Sequence, residues 1–180
     1  MTELSAELFG APILSWPVLL VRLGGATLLC ALIGLEREVK NRPAGLRTHI
    51  LVGLASAVYT LIMVELVSRA DSYPDITRTD PIRIIEAVTS GVAFLAAGMI
   101  VFTGDKVRGL TTGAGLWLSA SVGLAAGLGL WPLAALSTLL ALVVTRLLGS
   151  LERRGEKALV RWRGSDGRKV DGRDGDAPGR

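Results

Sequence analysis

The feature that most constrains this chain is the length of its apolar runs. Hydrophobic residues continue for about twenty positions at a time, the length a helix needs to cross the hydrocarbon of a bilayer. A soluble domain of this size would break such runs with polar residues at a period of 2 or 3.6. Five spans are readable, at about 16–35, 48–67, 82–102, 110–130 and 133–148, with Trp131-Pro132 as a tight turn between the last two. Pro17 and Pro81 stand at helix starts, where a missing N–H costs nothing. Half of the residues (50%) are hydrophobic, mean hydropathy is +0.48, and many of the 22 glycines lie inside the runs. That placement suits helices packed closely in lipid. The fold class expected is all-α, a polytopic membrane bundle of about five transmembrane helices.

The charges then choose an orientation. With the N-terminus outside, Arg37, Lys40, Arg42, Arg47, Lys106, Arg108 and the basic residues of the C-terminal segment all fall inside, against Arg69 and Arg78 outside. Cytoplasmic loops collect Lys and Arg, so the count selects N-out and C-in. Residues 1–15 become an outside segment, and 151–180 a polar, mobile cytoplasmic tail. The formal net charge of +4 thus has a topological cause, and nucleic acid is not an expected partner. The stretch from Met1 to Leu14 carries Glu3 and Glu7 but no Lys or Arg, unlike a signal peptide, so the first run is expected to stay. Cys30 is the single cysteine, which excludes an internal disulfide.

Small residues recur on helical rows. Thr111, Gly115, Ser119, Gly123 and Gly127 repeat every four positions in the fourth run; Ala26, Cys30 and Gly34 do so in the first, and His49, Gly53 and Ala57 in the second. Gly115, Ser119, Gly123 and Gly127 are therefore expected packing positions. Their partner could lie in this chain or another, and a homodimer is the expected assembly. Charges inside spans cost about 2.5 kcal/mol or more unless paired or hydrated. Arg22 and Glu86 sit at similar depths from the outer end, so an ion pair between them, with Arg83 nearby, is one expectation, and separate snorkelling is the other.

The densest chemistry joins the first two spans. Glu36, Arg37, Glu38, Arg42, Arg47, Thr48 and His49 should meet Asp105, Arg108, Thr111 and Thr112 in an inner polar cluster. Mg²⁺ would want Glu36, Glu38 and Asp105 as oxygen ligands. A phosphate or anionic lipid headgroup would prefer Arg42, Arg47 and Thr48. A topological anchor with mutually neutralising charges is the third reading. No second histidine, nucleophile elbow or phosphate-cradling glycine loop is present, so neither catalysis nor a resident cofactor is expected, and any metal is left open.

The motifs Gly34-Leu35-Glu36-Arg37-Glu38 and Arg42-Pro43-Ala44-Gly45-Leu46-Arg47-Thr48-His49 resemble the MgtC/SapB family of bacterial membrane proteins. The likeness continues in Asp80 and Arg83, Ser90-Gly91, Phe94-Leu95, Gly109-Leu110-Thr111-Thr112 and Leu116-Trp117, covering Val21 to Gly129. It implies an inner-membrane protein linked to magnesium homeostasis, low-Mg²⁺ growth and virulence. Two alternatives accompany it: a regulator that binds another membrane complex such as ATP synthase through its glycine row, and a dimeric small-solute or ion transporter with Arg22, Glu86 and His49 along its path. Glu86 stands near the place of a family glutamine, and Ala93 and Ala96 replace two family glycines. Longer members carry a folded C-terminal cytoplasmic domain, which the polar tail is not expected to supply.

Overall fold

The structure, a computed structural model, describes residues 13–69, 80–104 and 106–147. Residues 1–12 of the expected outside segment, the acidic loop at 70–79, Asp105 and the tail from 148 onward lie outside the described residues. The chain divides into two units, Met1–Ala141 and Leu142–Arg180, and the core described here belongs to the first.

Among the described residues five helices form: α1 (Trp16–Val39), α2 (Leu46–Ser68), α3 (Ile82–Gly98), α4 (Leu110–Leu128) and α5 (Trp131–Leu147). The fold is the all-α bundle anticipated, with one small addition. The third span was expected to run helically to residue 102, but α3 stops at Gly98 and a hairpin follows. Its strands β1 (Val101–Thr103) and β2 (Lys106–Arg108) pair antiparallel, Val101 opposite Arg108 and Phe102 opposite Val107. Gly104 turns at φ 57, and Gly109 enters α4 at φ 93, where a Cβ would overlap the carbonyl of Met99. The signal was in the sequence: Gly-Asp between β-forming residues is a hairpin turn.

The distribution of side-chain size is inverted relative to a soluble protein. The interior is built from Ala26, Cys30, Ala57, Ala120, Ala126 and Ala134, all fully buried. Large aliphatics point outward: Leu20, Leu28, Leu32 and Leu35 on α1, and Leu133, Leu136, Leu139 and Leu140 on α5. In lipid, apolar burial drives no helix association, so close backbone approach takes its place. Buried hydroxyls are satisfied locally, Ser56 donating to the Val52 carbonyl at 2.8 Å, Thr60 to Ser56 at 2.8 Å and Thr138 to Ala134 at 2.9 Å. This back-bonding needs no water.

The small-residue rows meet one another inside the chain. A Cβ on Gly34 would stand 2.8 Å from Leu46 Cα, and one on Gly53 would stand 3.0 Å from Cys30 Cβ. These contacts make α1 and α2 antiparallel neighbours. The same row of α2 also meets α4: Gly115 faces His49, Gly123 lies against the backbone of Gly53, and Gly127 against Ala57 and Thr60. Helices α2 and α4 therefore run parallel, with α3 as the return. The row of Gly115, Ser119, Gly123 and Gly127 is filled by α2 of the same chain. A partner complex that docks on this row, as one reading required, would find it already occupied.

Arg22 also differs from expectation. Its Nη1 donates to the Gly127 carbonyl at 2.8 Å, and the guanidinium lies over Gly129, which closes α4 at φ 78. A cation here complements the negative end of the helix dipole and serves a carbonyl left without an intrahelical donor. Glu86 and Arg83 are instead exposed on α3, which packs mainly on α4. The ion pair of Arg22 with Glu86 does not form: a carbonyl within the bundle wins over a carboxylate on another helix's outer face. Replacing Arg22 by alanine is expected to cost about 1–3 kcal/mol. A double-mutant cycle with Glu86→Ala, read by unfolding in detergent, should show coupling below about 0.5 kcal/mol.

Candidate functional site

Helix α1 continues one turn past the expected span end, so Glu36, Arg37 and Glu38 lie on a helix and not in a loop. The turn after it is specified by Asn41, at φ 51. The Asn41 N–H donates to the Glu38 carbonyl at 2.9 Å and the Arg42 N–H to the Arg37 carbonyl at 3.0 Å. This pair of bonds is the Schellman closure, which needs a left-handed residue that Asn supplies with little strain. Ala44 is then fully buried and Gly45 becomes the N-cap of α2.

Each acid has a structural task. Glu38 Oε2 accepts the Leu46 N–H at 2.9 Å, so a side chain of α1 caps the first turn of α2. A Cβ on Gly45 would overlap the Glu38 carboxylate, the end of an exposed side chain, so a substitution there displaces the cap. Gly45→Ala and Glu38→Ala are each expected to lose about 1 kcal/mol as a lost cap. Melting of the double variant should show a loss smaller than the sum, since removing the carboxylate removes the overlap.

Glu36 is turned inward at 8% exposure, beside Arg37 at 3%. Its Oε2 is 4.0 Å from Arg37 Nη1, and its Oε1 is ion-paired with Lys40 one turn on. Arg37 Nε and Nη2 are buried without hydrogen-bond partners. His49 is fully buried; its Nδ1 stands 2.8 Å from the Gly45 carbonyl. A carbonyl only accepts, so Nδ1 carries a proton, while Nε2 faces Gly115 and is buried without a partner. Thr112 is buried as well.

The remaining members point outward. Arg42, Arg47, Thr48, Arg108 and Thr111 are exposed, and Asp105 lies outside the described residues. The anticipated cluster thus separates into a buried knot of Glu36, Arg37, His49 and Thr112 and an exposed rim dominated by arginine. Glu38 is engaged as a helix cap, while Glu36 is ion-paired with Lys40 and stands 4.0 Å from Arg37, both of its oxygens buried without a hydrogen-bond partner. Among the described residues no group of three His, Cys, Asp or Glu stands together as metal ligands would. Arg22 lies about 18 Å along α1 from Gly34 at a rise of about 1.5 Å per residue, so it belongs to the opposite end of the bundle from His49. Sequence reasoning did not foresee the helix cap by Glu38; the acid four residues before the next helix's Arg42-Pro43-Ala44-Gly45 entry was the available signal.

An interior of small residues, an exterior of leucine and, among the described residues, two helices long and apolar enough to cross a membrane (α1 and α2) define a helical membrane protein. The MgtC family model matches residues 23–154, and the chain belongs to that family. It is similar to Protein SapB of Bacillus subtilis, 38% identical over 140 residues, which is 76% of this chain and 60% of the relative. The putative magnesium transporter YhiD of Escherichia coli K12 is 35% identical over 133 residues, 73% of this chain and 61% of YhiD. Protein MgtC of Brucella suis is 43% identical over 129 residues, 72% of this chain and 50% of the relative. The match therefore spans half to three-fifths of the length of these relatives. No solved structure matches the chain.

Proposed function

We propose that this chain is a multi-pass protein of the bacterial inner membrane that serves magnesium homeostasis, and that it does so as a non-enzymatic protein without a resident cofactor. The observation that carries the reading is the family match over 23–154, together with a relative named as a putative magnesium transporter. Five crossings with the N-terminus outside put the Glu36–His49 end in the cytoplasm, which the lysine and arginine distribution supports. Within the membrane reading the buried knot holds the α1–α2 connection rigid, and the arginine rim is the surface offered to the cytoplasm. The geometry favours a regulatory or sensing role over Mg²⁺ carriage. Glu36 and Glu38 are engaged within the fold, and Arg22, Glu86 and His49 do not share one path.

The test combines a cell and a vesicle. A strain lacking this protein should grow poorly when Mg²⁺ is limiting and recover with the wild-type chain. Purified protein in liposomes should pass no Mg²⁺ under a gradient. Recovery without flux supports regulation, flux supports transport, and no growth phenotype would overturn the magnesium reading.

A further inference from the structure

The outward faces of α1 and α5 are aliphatic, whereas that of α3 is mixed: Ile82, Ile85, Phe94 and Leu95 are exposed on it beside a polar stripe. Arg83, Glu86, Ser90 and Ala97 are all exposed, with Ala93 beside them. At 100° per residue they fall on one side of the helix. Val88 and Val92, the buried residues of α3, lie on the opposite side, where the helix packs on α4. Ile82 and Phe94 flank this stripe, whose charged and polar members set it apart from the exposed leucine positions of α1 and α5. A face bearing an acid, a base and a serine is costly against lipid, and one of small residues admits a neighbouring helix closely.

We propose that this α3 face is the contact between two copies of this chain, related by a two-fold axis along the membrane normal. The proposal rests on the reading of α3 as a membrane span. The occupant is identified by charge complementarity. Arg83 and Glu86 stand one turn apart, about 4.5 Å along the axis, and no ion pair engages either among the described residues. A two-fold axis between parallel copies of α3 brings Arg83 of each to Glu86 of the other, because an isologous interface repeats every contact in both directions. Two ion pairs then form at the same depth, above a close contact at Ser90, Ala93 and Ala97. The glycine row of α4 contributes nothing to this interface, since α2 fills it.

The test uses the full chain in membranes with fully buried Cys30 left in place. Ser90→Cys should form a disulfide-linked dimer on oxidation with copper–phenanthroline, and Leu28→Cys, on the aliphatic face of α1, should not. In the Ser90→Cys background, Arg83→Glu or Glu86→Arg alone places like charges opposite each other and should lower the dimer yield roughly tenfold or more. The pair of swaps together should restore it. Dimer at Leu28→Cys but not Ser90→Cys, a cross-link to a different protein, or single swaps without effect would each overturn the interface. Retention after an alkaline wash is scored on the same membranes. Loss of wild-type protein in that wash would remove the membrane reading and the interface together, whereas retention without the cross-link would remove the interface alone.

Discussion

Gly123→Ile is expected to cost several kcal/mol and to leave little folded protein. The first atom added, the Cβ itself, would overlap the Gly53 carbonyl and lie 2.9 Å from Gly53 Cα. Both neighbours are backbone in the middle of α2, so no rotamer change relieves the contact and the helices must separate. Forcing single methylenes into packed interiors costs about 1–3 kcal/mol; a branched side chain between two backbones lies at or beyond the top of that range. Separation would also open the contacts of Gly127 with Thr60 and of Gly115 with His49, because all three lie on one rigid helix. Gly24→Ala is the control. A Cβ there meets nothing within 4 Å, so the helix should gain about 0.5–1 kcal/mol from the better helix former. Unfolding of the two variants in detergent should therefore move in opposite directions. Gly123→Ala as stable as Gly24→Ala would show that α2 and α4 do not meet as described.

The second large effect comes from stranding a charge. Glu36→Leu removes the carboxylate beside Arg37 and leaves a guanidinium at 3% exposure with no counter-charge on its neighbour. Breaking a buried pair this way costs about 3–5 kcal/mol, whereas replacing both partners by apolar residues of similar size is often close to neutral. Glu36→Leu should thus melt far below wild type, and Glu36→Leu with Arg37→Met should recover most of the loss. Lys40 moderates nothing in the single variant, since it adds a second positive charge near Arg37. If the double variant were as unstable as the single, the knot would owe its role to something other than charge pairing. The same variants separate structure from function: a stable double variant that fails to support growth at low Mg²⁺ would assign the knot a task beyond holding the loop.

Much of the fold is legible from the order of residues alone. Runs of about twenty apolar residues require helices, and the period-four recurrence of Gly115, Ser119, Gly123 and Gly127 marks the face of α4 that another helix must approach. The family motif from Gly34 to His49 likewise picked out the segment that joins α1 to α2. Another part was legible too: Gly104-Asp105 signals a turn in the sequence, and the chain turns at Gly104. The side-chain pairings were not legible. Arg22 could be placed at a depth, but a depth does not say whether a carbonyl of α4 or a carboxylate of α3 is within reach.

The sequence by itself therefore determined that this is a helical membrane protein, which of its helix faces are small, and where its charges concentrate. These are properties of one helix at a time, set by length and period. Only the tertiary structure decided that α2 is the helix that fills the glycine row, that Glu36 turns inward to Arg37 while Glu38 caps α2, and that α3 keeps a polar stripe outward. Such choices depend on which helices become neighbours and on the reach of each side chain across the gap, and neither is written in any single run.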